Sequence, residues 1–279
     1  MIRVTPDMGA KLCDFFRQHL DHAMFPLNNI AQYGIDGRHD YAMRFWVAKA
    51  GGVITDAVGL ANSGAVMPVC PNADWAALRA ALQGESVARF LGPAQQVRPL
   101  IAALGMENVA TTLDDDDGQY ALELSQLRLP DGPGNIVPIA QAPEAVIRDW
   151  LLAYEMEALQ TPPDQAARDA AFSYDEYCAN QSHVVLMAGE TPLAMTGFNA
   201  RIPEAVQIGG VFTPPDLRGR GYARRALALH LDSARGKGVS RASLFAASEV
   251  AARAYIGIGF ERIGDWTLYM MADTHVVGA

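Results

Sequence analysis

The stretch VFTPPDLRGRGYARRALALHL, Val211–Leu231, decides how the rest of the chain is read. Val211, Phe212 and Thr213 read as the end of a β-strand. Pro214 and Pro215 stop it, because proline fixes φ and has no backbone N–H to give a ladder. The segment Arg218-Gly219-Arg220-Gly221-Tyr222-Ala223-Arg224 then runs straight into an alanine- and leucine-rich stretch, which predicts a helix over 221–235. Gly219 and Gly221 let the backbone approach an anion with no Cβ in the way. The start of the helix turns unpaired N–H groups and the positive end of its dipole toward the same spot. A strand, a sharp turn, a glycine loop and a helix in this order predict a phosphate cradle.

The local charge agrees. Between Asp216 and Arg241 stand Arg218, Arg220, Arg224, Arg225, Arg235, Lys237 and Arg241, opposed only by Asp216 and Asp232, in a chain of net charge −9. A basic island in an acidic protein predicts a polyanionic ligand. A P-loop needs Gly-Lys-Ser/Thr at the helix start, and that sequence is absent.

Around this core the second half reads as an alternation of strands and helices. A strand is expected at 136–140, helices at 143–159 and 163–180, and strands at 183–188, 193–199 and 206–213. After the long helix come a strand at 241–246, a helix at 249–258 and a last strand at 266–271. Strands mixed with flanking helices predict an α/β layered fold on a mixed, mainly antiparallel sheet. The linker LRLPDGPGN, 127–135, breaks regular structure with two prolines and two glycines. It suggests one module over 1–130 and another over 135–279.

About thirty residues past the loop comes LFAASEVAARAYIGIGF, Leu244–Phe260. The two segments together resemble the GNAT superfamily of acyl-CoA-dependent N-acyltransferases. Arg218, Gly221 and Ala223 match its loop pattern Gln/Arg-x-x-Gly-x-Gly/Ala. Ala251, Tyr255, Gly259 and Phe260 match its second signature, while Ser248 stands where Asn is frequent and Ala254 where Leu is usual. The resemblance implies acetyl-CoA as acyl donor, with its pyrophosphate on the backbone of Arg218–Arg224. It implies pantetheine laid along Val211, Phe212 and Thr213, with a further contact from Ser248. It also implies Tyr255 as the acid on the departing thiolate and a strand amide near Val211 as the oxyanion donor.

The general base is not legible. Glu204, Glu155 and Glu157 are available, and each reads as a surface carboxylate. From Glu144 to Glu176 acidic residues outnumber basic ones, with only Arg148 and Arg168 on the other side. Such a border would steer a cationic amine toward the site. The expected reaction is transfer of an acetyl group to a primary amine of a small molecule or peptide. The alternative is a non-catalytic acyl-CoA-binding or sensing protein.

The first half gives a related pattern without the loop. Strands are expected over 44–69 with a hairpin at Gly51-Gly52. Helices are expected at 7–23, 73–82 and 94–104, and strands at 86–91 and 120–127. GAVMPVCPNADWAALRAAL, Gly64–Leu82, lies beside GGVFTPPDLRGRGYARRAL, Gly209–Leu227, yet Pro71-Asn72-Ala73-Asp74 replaces the arginine–glycine loop. The half therefore reads as a degenerate module of the same kind, which could cover the second or form a homodimer contact. Asp114–Asp117 reads as a solvated loop.

The acidic balance argues against binding nucleic acid. No apolar run suggests a membrane span, and three scattered cysteines suit reduced thiols in the cytoplasm. His19 and His22 share a helical spacing but lack other ligands nearby, so no metal is expected.

Overall fold

The computed structural model describes Met1–Gly278. Its strands and helices run β1 (Ile2–Arg3), α1 (Gly9–Gln18), α2 (Leu20–Tyr33), β2 (Met43–Ala50), β3 (Val53–Ala61), β4 (Ala65–Val69), α3 (Trp75–Leu82), β5 (Ser86–Pro93), α4 (Ala94–Leu104) and β6 (Thr111–Glu123). After the linker come β7 (Asn135–Pro138), α5 (Glu144–Ala158), α6 (Pro163–Asn180), β8 (His183–Ala188), β9 (Thr191–Arg201), β10 (Ala205–Phe212), α7 (Tyr222–Arg235), β11 (Arg241–Ala246), α8 (Glu249–Ile256) and β12 (Glu261–Val276). The chain forms two compact units. One is Met1–Gln119 with the C-terminal segment from Gly264, and the other is Tyr120–Ile263.

In the first unit the strand order is β1-β2-β3-β4-β5-β12. The β2–β3 hairpin turns on Gly51 and Gly52, both at positive φ, as a two-residue turn demands. β12 runs antiparallel to β5, with Trp266 opposite Pro93 and Met270 opposite Arg89. The C-terminal strand, which follows the second half in sequence, thus completes the sheet of the first.

Two expectations change here. The first helical stretch is two helices, broken at His19 and continued to Tyr33 with Pro26 inside α2. Apolar positions in α2 still reach the core, with Ala23, Met24 and Leu27 buried, so tertiary packing overrides the break signal. The aspartate run is not a loop. It lies within β6, where residues two apart share a face. Arg98 binds Asp114 at 2.5 Å and Asp116 at 2.9 Å, and Thr267 Oγ1 donates to Asp116 at 2.6 Å. A fixed guanidinium and a hydroxyl make the strand tolerable for these carboxylates.

In the second unit the order is β6-β11-β10-β9-β8-β7, mostly antiparallel with a parallel β10–β11 pair. α7 packs one sheet face. Leu227, Leu231 and Ala234 recur at helical spacing and are buried with Phe198, Val206, Ile208 and Leu244. α5 and α6 cover the other face, with Ile147, Trp150 and Leu151 against Val185, Met195 and Phe212. Truncating a fully buried leucine such as Leu227 to alanine would cost about 2–5 kcal/mol. Gly259 is at φ +113, and a Cβ there would meet the Gln126 carbonyl at 2.8 Å. That close approach is what the glycine before Phe260 supplies.

Candidate active site

The site is built where β10 ends. β10 and β11 pair through Ala205–Gln207 and Arg241–Ser243. Both strands run on, to Phe212 and to Ala246, beyond that ladder. On its other side β10 changes register against β9 between Gly209 and Phe212, with Gly210 at φ +60. A bulge of this kind re-aims the backbone, so Val211 lies in a segment whose amides are not held in a regular ladder.

The bulge is packed by a ring. His183, at the start of β8, stacks on Tyr177 of α6 at 3.5 Å between centroids. Its imidazole occupies the space a Cβ would take at both Gly197 and Gly210. Ser182 Oγ lies 2.9 Å from Nδ1, and Nε2 is buried without a partner. Burial lowers its pKa to about 3, with His230 adding a little, so the ring is neutral at physiological pH. Sequence reading missed this residue, although a histidine among apolar strand positions with glycines on two neighbouring strands is a visible signal.

Past Phe212 the loop opens onto α7. Gly219 and Gly221 take φ +78 and +80. No heavy atom lies within 4 Å of a Cβ built at Gly219, and only Arg224 Nη2, at 3.5 Å, approaches one at Gly221. Gly221 is the N-cap and brings no side chain to the first turn of α7. Thr213 Oγ1 and Arg224 Nε are buried without hydrogen-bond partners. A helix end without a side-chain cap, space beside two left-handed glycines and two orphaned polar atoms suit a ligand rich in anionic oxygens.

The six arginines of the segment 216–241 divide into two groups. Arg225 donates to the carbonyls of Pro130, Pro133 and Gly134 and so ties down the linker. Arg235 binds Asp232 and the Leu124 carbonyl, and Arg241 binds Glu123. These three hold the fold. Arg218, Arg220 and Arg224 remain at the loop. Arg218 donates to the Thr213 carbonyl and to Glu157, and Arg220 to the Asp216 carbonyl.

Ser248 caps α8, accepting from Ala251 N–H at 3.2 Å. Tyr255, on the same helix, is buried beside Phe260 at 6.2 Å between centroids. Burial, with a smaller contribution from Tyr154, holds its phenol well above the ordinary range, so it stays protonated.

The carboxylates also divide. Glu157 pairs with Arg218 at the surface. Glu155 is not a surface carboxylate. It follows Ile147 and Leu151 on the buried stripe of α5 and is 8% exposed. Thr161 Oγ1 donates to it at 3.0 Å. Burial raises its pKa, the Thr161 hydrogen bond opposes this, and Asp169 adds to it. Of the other acids on these helices, Glu144 and Asp175 share Arg148. The described residues include no group of His, Cys, Asp and Glu able to hold a metal, and no helix is long and apolar enough to cross a membrane.

Comparison with known proteins bears on the family and the fold. The model of the Acetyltransferase (GNAT) family matches residues 145–260, so that stretch is a GNAT domain. No curated protein matches the chain in sequence. Among solved structures, a GCN5-related N-acetyltransferase from Sphaerobacter thermophilus is similar at 17% identity and TM-score 0.58, over 96% of this chain and 94% of that one. A tandem GNAT protein from the clavulanic acid biosynthesis pathway gives 13% and 0.52 over 100% and 98%. An acetyltransferase from the GNAT family of Colwellia psychrerythraea gives 12% and 0.53 over 97% and 100%. At such identities the likeness is one of fold, and it extends over both halves.

Proposed function

We propose that the second unit transfers an acetyl group from acetyl-CoA to a primary amine. The observation that carries this reading is the glycine loop before α7, with buried, unpartnered Thr213 Oγ1 and Arg224 Nε beside it. The backbone from Arg218 to Arg224 would hold the pyrophosphate, and Val211–Thr213 and Ser248 the pantetheine. When bound, acetyl-CoA supplies an acyl group activated as a thioester.

The chain's own residues then have defined tasks. A backbone N–H near Val211 stabilises the oxygen on which negative charge develops. Tyr255 Oη, kept protonated by its burial, is placed as the proton donor to the departing sulfur. Glu155, whose pKa burial raises above the ordinary carboxylate value, is the candidate to accept the proton of the amine. The acids on α5 and α6 favour a cationic or neutral acceptor over an anionic one.

Release of free thiol from acetyl-CoA, measured over a panel of amines, tests the assignment. Turnover with at least one cationic amine is expected. Tight binding of acetyl-CoA without turnover on any amine would instead establish an acyl-CoA-binding protein. A clear preference for an acidic acceptor such as glutamate would overturn the electrostatic argument.

A further inference from the structure

A cavity of about 660 Å³ lies in the second unit, away from the glycine loop. Its walls come from β7–β10 and from the C-terminal end of α7 and the turn beyond. The loop sits at the opposite end of α7, and a helix of this length spans about 20 Å. The volume falls within the range typical of small-molecule sites, roughly 300–1,000 Å³.

The lining is selective. Val184, Phe198, Ile202 and Val206 make apolar walls. The charged side chains on it are Arg201 and Lys237, and no Asp or Glu is among the lining residues. In a chain of net charge −9 that is a marked local bias. Two histidines also line the cavity, His183, which packs the β10 bulge, and His230. His230 is 7% exposed, stacks on Phe198 at 3.8 Å, and its Nδ1 is buried without a partner. Burial, reinforced by Lys237 and Arg201, lowers its pKa to about 3, so it is a neutral polar group near both cations. A buried ring nitrogen left without a hydrogen bond is costly in a finished core, and a ligand at this wall could supply one.

We propose that this cavity binds a small monocarboxylate with an apolar body, such as an arylacetate or a short fatty acid. The apolar walls would take the body, and Arg201, Lys237 and His230 the carboxylate. The negative end of the α7 dipole faces this region and opposes every anion, so Arg201 and Lys237 must outweigh it; a dianionic phosphate is opposed more strongly than a monocarboxylate. The dipole accounts for a lysine at the helix end, but not for the absence of acids across the rest of the wall.

The test is calorimetry on the full chain with phenylacetate, hexanoate and phenylacetamide, together with ring-proton NMR of His230. Both acids should bind and shift the His230 resonances, and the amide should bind at least about tenfold more weakly. Arg201→Gln with Lys237→Gln should weaken phenylacetate about tenfold or more, and Ser233→Leu should block it. Gly221→Ala, which addresses the acyl-donor site, should leave phenylacetate unaffected. Equal binding of acid and amide by the unaltered chain would overturn the proposal. So would acid binding that survives both charge removal and Ser233→Leu, or the absence of any His230 shift at millimolar phenylacetate.

Discussion

Arg218 Nη2 donates to Glu157 Oε2 at 2.5 Å, so the loop before α7 is tied to the last turn of α5. Both side chains are about half exposed, and a bridge of that kind contributes only about 0–1 kcal/mol. An anion at the loop must compete with Glu157 for Arg218. Glu157→Gln is therefore expected to tighten CoA binding by up to about fivefold while leaving the melting temperature nearly unchanged. Calorimetry decides, and weaker binding would mean that Glu157 positions the arginine rather than occupying it.

The loop glycines should be indispensable for the donor. Gly221→Ala places a Cβ at φ +80, in the space assigned to phosphate, and adds backbone strain of about 1–2 kcal/mol. CoA affinity should fall at least about tenfold. Gly236→Ala, at the far end of α7 with ordinary φ, is the control. Equal affinities in the two variants would move the phosphate elsewhere.

Tyr255→Phe should lower saturating turnover by about 10²–10⁴ and leave acetyl-CoA affinity within a few-fold. The phenol is buried and protonated, so the loss should be uniform across neutral pH. Unchanged turnover would leave Tyr255 a packing partner of Phe260.

Glu155 gives the pH dependence. Its pKa in the folded chain is raised above the ordinary 4.5, chiefly by burial. Stability from such a group is fully present below its unfolded pKa and is lost as pH rises through the folded value. Glu155→Gln should therefore melt higher than the parent at neutral pH, with the gap closing toward pH 4.5. The same change should remove the acidic limb of the kcat/KM profile if Glu155 takes the amine proton. A variant with a higher melting point and an intact limb would retain the burial argument and refute the catalytic one.

The local form of the candidate loop was legible because its parts are local. Proline, glycine and a helix start act on their own neighbours, so Thr213 to Arg224 could be read in order. What escaped depends on partners distant in sequence. Asp114 and Asp116 are exposed, as a charge run suggests, but they lie in β6 rather than a loop because Arg98, distant in sequence, pairs with both. Nothing near Gly209 in sequence marks it as tight, yet the Asn199 side chain occupies the position of its missing Cβ. Arg225, Arg235 and Arg241 looked like ligand groups and proved to bind carbonyls and acids of the fold. Glu155 was recoverable, since it falls eight residues after Ile147 and four after Leu151 on the apolar stripe.

One chain is expected to bind one CoA, in the second unit. Asp74 and Gly221 hold corresponding places at the starts of α3 and α7, and they treat the helix end oppositely. Asp74 accepts from Ala77 N–H at 3.0 Å, so its carboxylate both satisfies a first-turn donor and neutralises the dipole. Gly221 does neither. A phosphate approaching α3 would meet a like charge at a few ångströms, which costs on the order of 1 kcal/mol or more even when screened, and would find no arginine–glycine loop. Removing the charge alone should not create a site: Asp74→Asn is expected to lose little stability, because Asn also caps well, and to gain no CoA binding. Titration calorimetry on the parent and on Asp74→Asn, each with and without Gly221→Ala, gives the count. A stoichiometry near one that disappears with Gly221→Ala supports the assignment. Two equivalent sites in the parent, or residual binding in Gly221→Ala that depends on Asp74, would show that the first unit retains a donor site of its own.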